Sequence, residues 1–420
     1  MATFDSAPPT GKLEVVCRID GNGQRRALHC PICGWQKSDM QKEQLRALTG
    51  LRFLLAIWVV VYHRTAGYAQ TVPHPLFYMA VGIFFSLSGF ILAYNYNLEN
   101  NWDLQQLRKF ALARFARIYP VYALGLLLVV HFQLRAFLRQ PAPQTAFGVL
   151  QFTLLQAWIP AATGMWNSPG WSLSNEAFFY ALFPFLGVAL WRCTKLTVQI
   201  LIVAALWAGA MSVPCLVVVA HVPGVNFGAT ADNHHSFLLD LIRYNPLLHL
   251  PEFLIGVLGC RIFLDVKQNW AGRGYYFYTP GIFLFGSAIT FATLIPYTVL
   301  HDGLADPAVL LIVVGLALGG GLVDRVLSNR VLVFLGTCSY SMYILHLPIL
   351  AWLQKLHFLS LTSGRDIMLS ILIIIAISSV IFVSFEEPLN LIVKGNLKNR
   401  LARNSSPLDL SCRITKSATK

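Results

Sequence analysis

Ten runs of mostly apolar residues divide this chain, near 45–63, 77–95, 119–138, 172–191, 196–220, 246–264, 277–299, 306–323, 331–354 and 367–391. Each offers roughly 18–25 residues, the length a tilted helix needs to cross a bilayer. An eleventh apolar piece near 147–160 is too short to span. It carries Gln151 and Gln156 and stops at Pro160, which reads as a re-entrant or interfacial helix. The expected fold is therefore all-α: a polytopic membrane protein of about ten transmembrane helices plus that short helix. With 56% hydrophobic and 12% charged residues, a soluble domain is excluded. No internal repeat points to an inverted-repeat transporter.

A net charge of +13 could indicate a nucleic-acid partner, but the basic residues lie in short connections and in the two tails. Their sidedness sets orientation instead. With both tails cytoplasmic, 25 of the 32 Lys and Arg face inside and 6 face outside, and Arg52 is left within the first span. The expectation is a multi-pass protein of the cell (inner) membrane with both termini cytoplasmic. The first forty residues are polar and lack an apolar core segment, so no cleavable signal peptide is expected there. Residues 1–39 are expected to be a disordered or non-native extension, and 394–420 a flexible basic tail. Cys17, His29, Cys30 and Cys33 could supply four zinc ligands, but a second closely spaced cysteine pair is missing. Unstructured tail is the stronger reading, and no metal is assigned. His234 and His235 beside Asp232 are likewise read as a solvated loop.

Arg52 and His63 stand inside the first span. Ionisable groups at membrane depth are costly and mark function. Eleven residues apart, they share almost one helix face and lie roughly 16 Å apart along the axis. That spacing describes a path into the membrane. In the second span, Ser86, Ser88 and Gly89 read first as a helix-packing surface. Ser88 is also the candidate nucleophile of a serine–histidine pair with His63 or His346. Arg114 and Arg117 lie one turn apart on the inside, either as anchors or as a bidentate anion clamp. Pro169-Gly170 opens a helix that Ser172 or Ser174 can cap. Glu176 follows near the expected depth of His63, where a carboxylate could orient the imidazole. Ser339, Tyr343 and His346 recur at helical spacing, a polar stripe that either lines a cavity or bonds between helices. The Glu386-Glu387-Pro388 carboxylates are expected to pair with basic residues at the cytoplasmic border.

Over residues 45–390 this ordered set resembles the acyltransferase-3 family of integral membrane O-acyltransferases. The residues that carry the resemblance are Arg52 and His63, Phe84-Phe85-Ser86-Leu87-Ser88-Gly89, and Arg114 and Arg117 before Ile118-Tyr119-Pro120. Trp171-Ser172-Leu173-Ser174-Asn175-Glu176, Ser339 through His346, and Glu387-Pro388 complete it. One departure is visible: relatives commonly carry an arginine where Ala113 stands. The resemblance makes 40–393 a membrane acyltransferase domain. It implies transfer of an acyl group, often acetyl, from acyl-CoA to a hydroxyl of a carbohydrate, a lipid-linked sugar or a small natural product. Acyl-CoA would be a co-substrate, with no tightly bound cofactor. The phosphates would meet Arg114, Arg117 and Arg52, His63 would be the general base, and Glu176 would orient it. Ser88, Tyr343 or His346 would donate to the oxyanion. A covalent acyl-His or acyl-Ser intermediate is left open. The rivals are a transporter or flippase of acylated or glycosylated lipids, which moves substrate without consuming CoA, and an intramembrane serine protease.

Overall fold

The computed structural model describes residues 45–65, 75–222, 237–358 and 363–393. Cys17, His29, Cys30, Cys33, Asp232, His234, His235 and both tails lie outside the described residues. The described residues form one compact unit. Its principal helices are α1 (Arg46–Thr65), α2 (Pro75–Asn95), α3 (Leu104–Arg139), α4 (Pro141–Phe152), α5 (Gly170–Trp191), α6 (Leu196–Val219) and α7 (Phe237–Tyr244). There follow α8 (Pro246–Trp270), α9 (Tyr275–Thr290), α10 (Tyr297–His301), α11 (Asp306–Leu318), α12 (Arg330–Thr337), α13 (Ser339–Lys355) and α14 (Gly364–Ile381). No β-strand occurs among the described residues.

Among the described residues, seven helical segments are long and apolar enough to cross a membrane, and eight if α12 and α13 count as one span bent by 60°. The expected count of about ten is not reached among them. The expected span 77–95 falls within α2, a helix of 21 residues. The expected span 277–299 breaks after Thr290 into a 3₁₀ turn, and α10 joins the following segment instead. Pro296 ends the run there: without an N–H it cannot continue the helical hydrogen bonding of its predecessors.

Helix α8 is the hub, packing on α2, α5, α6 and α11. Small residues set how closely it sits. A Cβ on Gly256 would collide with the Ser86 carbonyl, and one on Gly89 with the Phe253 carbonyl, so α2 and α8 touch backbone to backbone. Ser86 adds a hydrogen bond to the Glu252 carbonyl at 3.0 Å. Where lipid is as apolar as the side chains, close packing and such bonds drive helix association. Gly336 against the Thr49 carbonyl and Gly50 against Leu327 bring α12 and the short helix Gly321–Leu327 equally close to α1.

Between α4 and α5 the chain leaves regular helix, with Gln156, Ala157, Ala162, Thr163 and Asn167 buried and Leu155, Ile159 and Met165 exposed. Non-helical backbone at membrane depth needs protein partners, and three amide side chains bond to backbone carbonyls here. Gln151 Nε2 donates to the Ala162 and Met165 carbonyls at 3.0 and 2.9 Å. Gln156 donates to Gly170 at 2.7 Å, and Asn167 to Ile344 of α13 at 3.0 Å. This is the short element expected near 147–160, and its glutamines fasten it.

Gly256→Val and Gly89→Val should each lower stability in detergent by about 1–3 kcal/mol or more, the usual cost of overpacking. Gly286→Ala, which meets nothing within 4 Å, should leave the thermal midpoint unchanged or raise it.

Candidate active site

Two polar contacts join α1 to α13. Arg52 Nε donates to Ser339 Oγ at 3.3 Å, and His63 Nδ1 faces His346 Nε2 at 3.2 Å. The partners are eleven residues apart on α1 and seven apart on α13, so the two helices run in the same direction with a polar seam between them. The stripe Ser339, Tyr343 and His346 is therefore turned toward α1.

The His63 end of the seam has one consistent proton arrangement. His346 Nδ1 lies 2.6 Å from the Tyr343 carbonyl, an acceptor only, and so carries a proton. His346 Nε2 then accepts from His63. Nδ1 of His63 also faces the Val59 carbonyl at 3.0 Å, which again requires a proton on Nδ1. Nε2 is left as the basic nitrogen of His63. His346 is fully buried, whereas His63 is only half-buried. Tyr343 extends the cluster: Ser172 Oγ donates to its hydroxyl at 3.0 Å and stands equally close to the Pro169 carbonyl.

At the other end stand Arg52, Arg114, Arg117, Glu176 and Glu386. Glu176 accepts a hydrogen bond from Tyr180 Oη at 2.9 Å, and Tyr180 Oη lies 3.3 Å from Ser88 Oγ. The positive charges that act on Glu176 are Arg52, Arg117 and Arg114. Arg117 is paired with Glu386, whose other oxygen accepts from Ser341 Oγ at 2.5 Å. That places the Glu386 carboxylate at the N-terminus of α13, where the helix dipole favours it. A five-residue π turn, Phe382–Glu386, turns Glu386 inward while Glu387 stays exposed. Such turns inside α-helices recur at functional sites. Three guanidiniums against two carboxylates leave one positive charge in excess. Arg114 Nε is buried with no hydrogen-bond partner among the described residues. Arg52 and Glu176 are half-buried.

Some expected contacts are redistributed. Glu176 meets Tyr180 and the arginines and makes no hydrogen bond or ion pair with His63. Ser88 meets Tyr180 rather than a histidine. Ser172 and Ser174 do not cap α5, because Ser174 donates to the Leu154 carbonyl at 2.6 Å and ties α5 to the re-entrant segment. Tyr180 and Ser341 had not been singled out in the sequence. Tyr180 lies one turn beyond Glu176, and that spacing was its available signal.

The chain matches the family model described as an acyltransferase domain over residues 45–385. It is 28% identical over 332 residues to acyltransferase MdmB of Streptomyces mycarofaciens, covering 74% of this chain and 81% of that protein. It is 33% identical over 185 residues to protein 2 in picA locus of Rhizobium radiobacter, covering 40% of this chain and 94% of that one. No solved structure matches.

Removing Arg117 would strand Glu386, which is 2% exposed. Arg117→Ala should destabilise the protein by about 3–5 kcal/mol, the cost of breaking a buried pair from one side. Arg114→Ala, with no such partner, should cost far less in the same thermal scan.

Proposed function

We propose that this chain, which belongs to the acyltransferase-3 family, transfers an acyl group from cytoplasmic acyl-CoA to a hydroxyl on a carbohydrate, lipid-linked sugar or secreted small molecule. It is an acyltransferase by family; the donor, the acceptor class and an acetyl preference belong to the proposal. The observation that carries it is the seam itself, with an arginine cluster at one end and a basic imidazole nitrogen at the other on the same two helices.

The arginine end suits the phosphates of CoA. A guanidinium offers bidentate donors, and an unpartnered buried N–H costs about 1–3 kcal/mol, so Arg114 gains by meeting an anion. Arg52 stands between this end and His63, where the thioester of an extended pantetheine arm would arrive. His63 Nε2 takes the proton of the acceptor hydroxyl as that oxygen attacks the thioester carbonyl. The C–S bond then breaks, and the proton passes to the departing CoA thiolate. The positive charge that forms on His63 is shared through Nδ1–H to His346, which fixes the tautomer and ring orientation. His346 is thus a positioning residue. The Tyr343 hydroxyl, held by Ser172, is the nearest donor for the oxyanion on this end, with Ser88 and Tyr180 toward the arginines. Glu176 tunes the arginine cluster rather than the base.

A cell-membrane location with both termini cytoplasmic follows from the distribution of basic residues and puts the arginine end on the CoA side. Family membership in acyltransferases displaces the transporter and protease readings. Ser88 beside Tyr180 gives the protease reading no base.

The test is release of free CoA thiol from acetyl-CoA by detergent-purified protein. His63→Ala should lose about 10²–10⁴-fold in kcat, the usual contribution of a general base. Arg52→Ala should raise KM for acetyl-CoA by about 10-fold or more, as expected for loss of a charge-assisted bond. His346→Asn should lower kcat and shift the alkaline and acid limbs of the pH profile without changing KM. Wild-type protein that neither binds acetyl-CoA nor releases thiol would overturn the proposal.

A further inference from the structure

Beside the α2–α8 contact, against Trp171 and Phe85, lies a second cluster of ionisable groups. His249 and Glu252 come from the first two turns of α8, His301 from the end of α10, and Asp302 and Asp306 from the turn into α11. His249, Glu252 and Asp302 are each 1% exposed, Asp306 3% and His301 6%. One atom each from His249, His301 and Asp302 comes within 4.8 Å of the others. Within that set, His301 Nδ1 is 2.8 Å and His249 Nε2 is 4.0 Å from Asp302 Oδ1.

Unpartnered buried oxygens ask for a cation here. Among the described residues, Asp302 Oδ2, Glu252 Oε1 and Asp306 Oδ2 are buried without any hydrogen-bond partner. Three carboxylates taken out of water are strongly unfavourable unless protons or a metal balance them. The donor set then selects the kind of ion: two imidazoles and a carboxylate suit zinc and its neighbours rather than magnesium or calcium.

We propose that His249, His301 and Asp302 bind a divalent transition-metal ion of the zinc class, at a site separate from the acyl-transfer seam. A tetrahedral ion sets its ligand atoms about 3.3 Å apart, so small ring rotations close the observed spacing. His249 would bind through Nε2. Its Nδ1–H then points at Glu252 Oε2, 3.3 Å away, the carboxylate–histidine–metal relay that fixes a ligand's tautomer. The Arg243 carbonyl, 2.8 Å from His249 Nε2, offers a further oxygen. The ion ties α8, α10 and α11 together next to Trp171, whose ring lies 5.4 Å from that of His249. It is a clamp on the wall that carries α5, and the chemistry proposed for His63 proceeds without it.

Tag-free protein, purified without chelator, should contain one zinc-class ion per chain by mass spectrometry of the metals. After stripping, it should take up Co²⁺ with the visible absorption of a four-coordinate site, and its thermal midpoint should rise on reloading. His249→Gln and Asp302→Asn should abolish the cobalt spectrum. Glu252→Gln should weaken cobalt affinity by about 10–100-fold, as loss of an outer partner does. Wild-type protein that carries no metal and gives no cobalt spectrum would overturn the proposal and leave a proton-balanced network, an outcome that needs no variant to fold. Metal retained in both ligand variants would overturn the assignment of these residues.

Discussion

Polar groups at membrane depth have no water to turn to, and this bundle is arranged around finding them partners within the protein. The contact between α1 and α13 depends on it most directly. Arg52 and His63 are each costly in an apolar helix, and each is met by a residue of the one helix that presents a matching stripe. The same constraint bears on the segment between α4 and α5, where Gln151 bonds its backbone carbonyls while Gln156 and Asn167 tie it to α5 and α13. It also explains why Arg117 and Glu386 are found together across α3 and the end of the last span. Close glycine contacts then let α8 support the walls of this arrangement without adding polar groups of its own at the seam.

In the proposed mechanism the two ends of the seam divide the work of an acyl transfer. There, an excess of guanidinium charge at one end holds a polyanionic donor. At the other end, the carbonyls of Val59 and Tyr343 place the ring protons and leave one basic nitrogen on His63. His346 takes the place a carboxylate holds in many histidine-based sites. A neutral imidazole partner fixes orientation without bringing a second buried charge into the membrane, where an extra anion would itself need a partner.

Much of this was legible in the sequence because helical periodicity carries it. The shared face of Arg52 and His63, the stripe on α13 and the break at Pro169-Gly170 are all spacing arguments, and the structure adds the pairing of the first two, which spacing alone did not specify. The span count was less legible, because apolar length alone does not show that the run after Tyr275 ends before Pro296 or that Cys338 marks a 60° bend. The partner of Glu176 was misjudged because depth along two separate helices says nothing of which faces meet. Tyr180, on the same helix, claims the carboxylate instead. The His249–Asp302 cluster was invisible for a further reason: its members lie some fifty positions apart and meet only when α10 folds back on the start of α8.

The central claim is that one bundle receives its donor at the arginine end and does chemistry at the histidine end. Sidedness tests it most directly. Protein reconstituted in sealed vesicles, with orientation established by protease digestion of the tails, would be given acetyl-CoA on one face at a time while thiol release is followed. The account predicts turnover only when acetyl-CoA meets the face that carries Arg114 and Arg117. Turnover supported from the opposite face alone would contradict it.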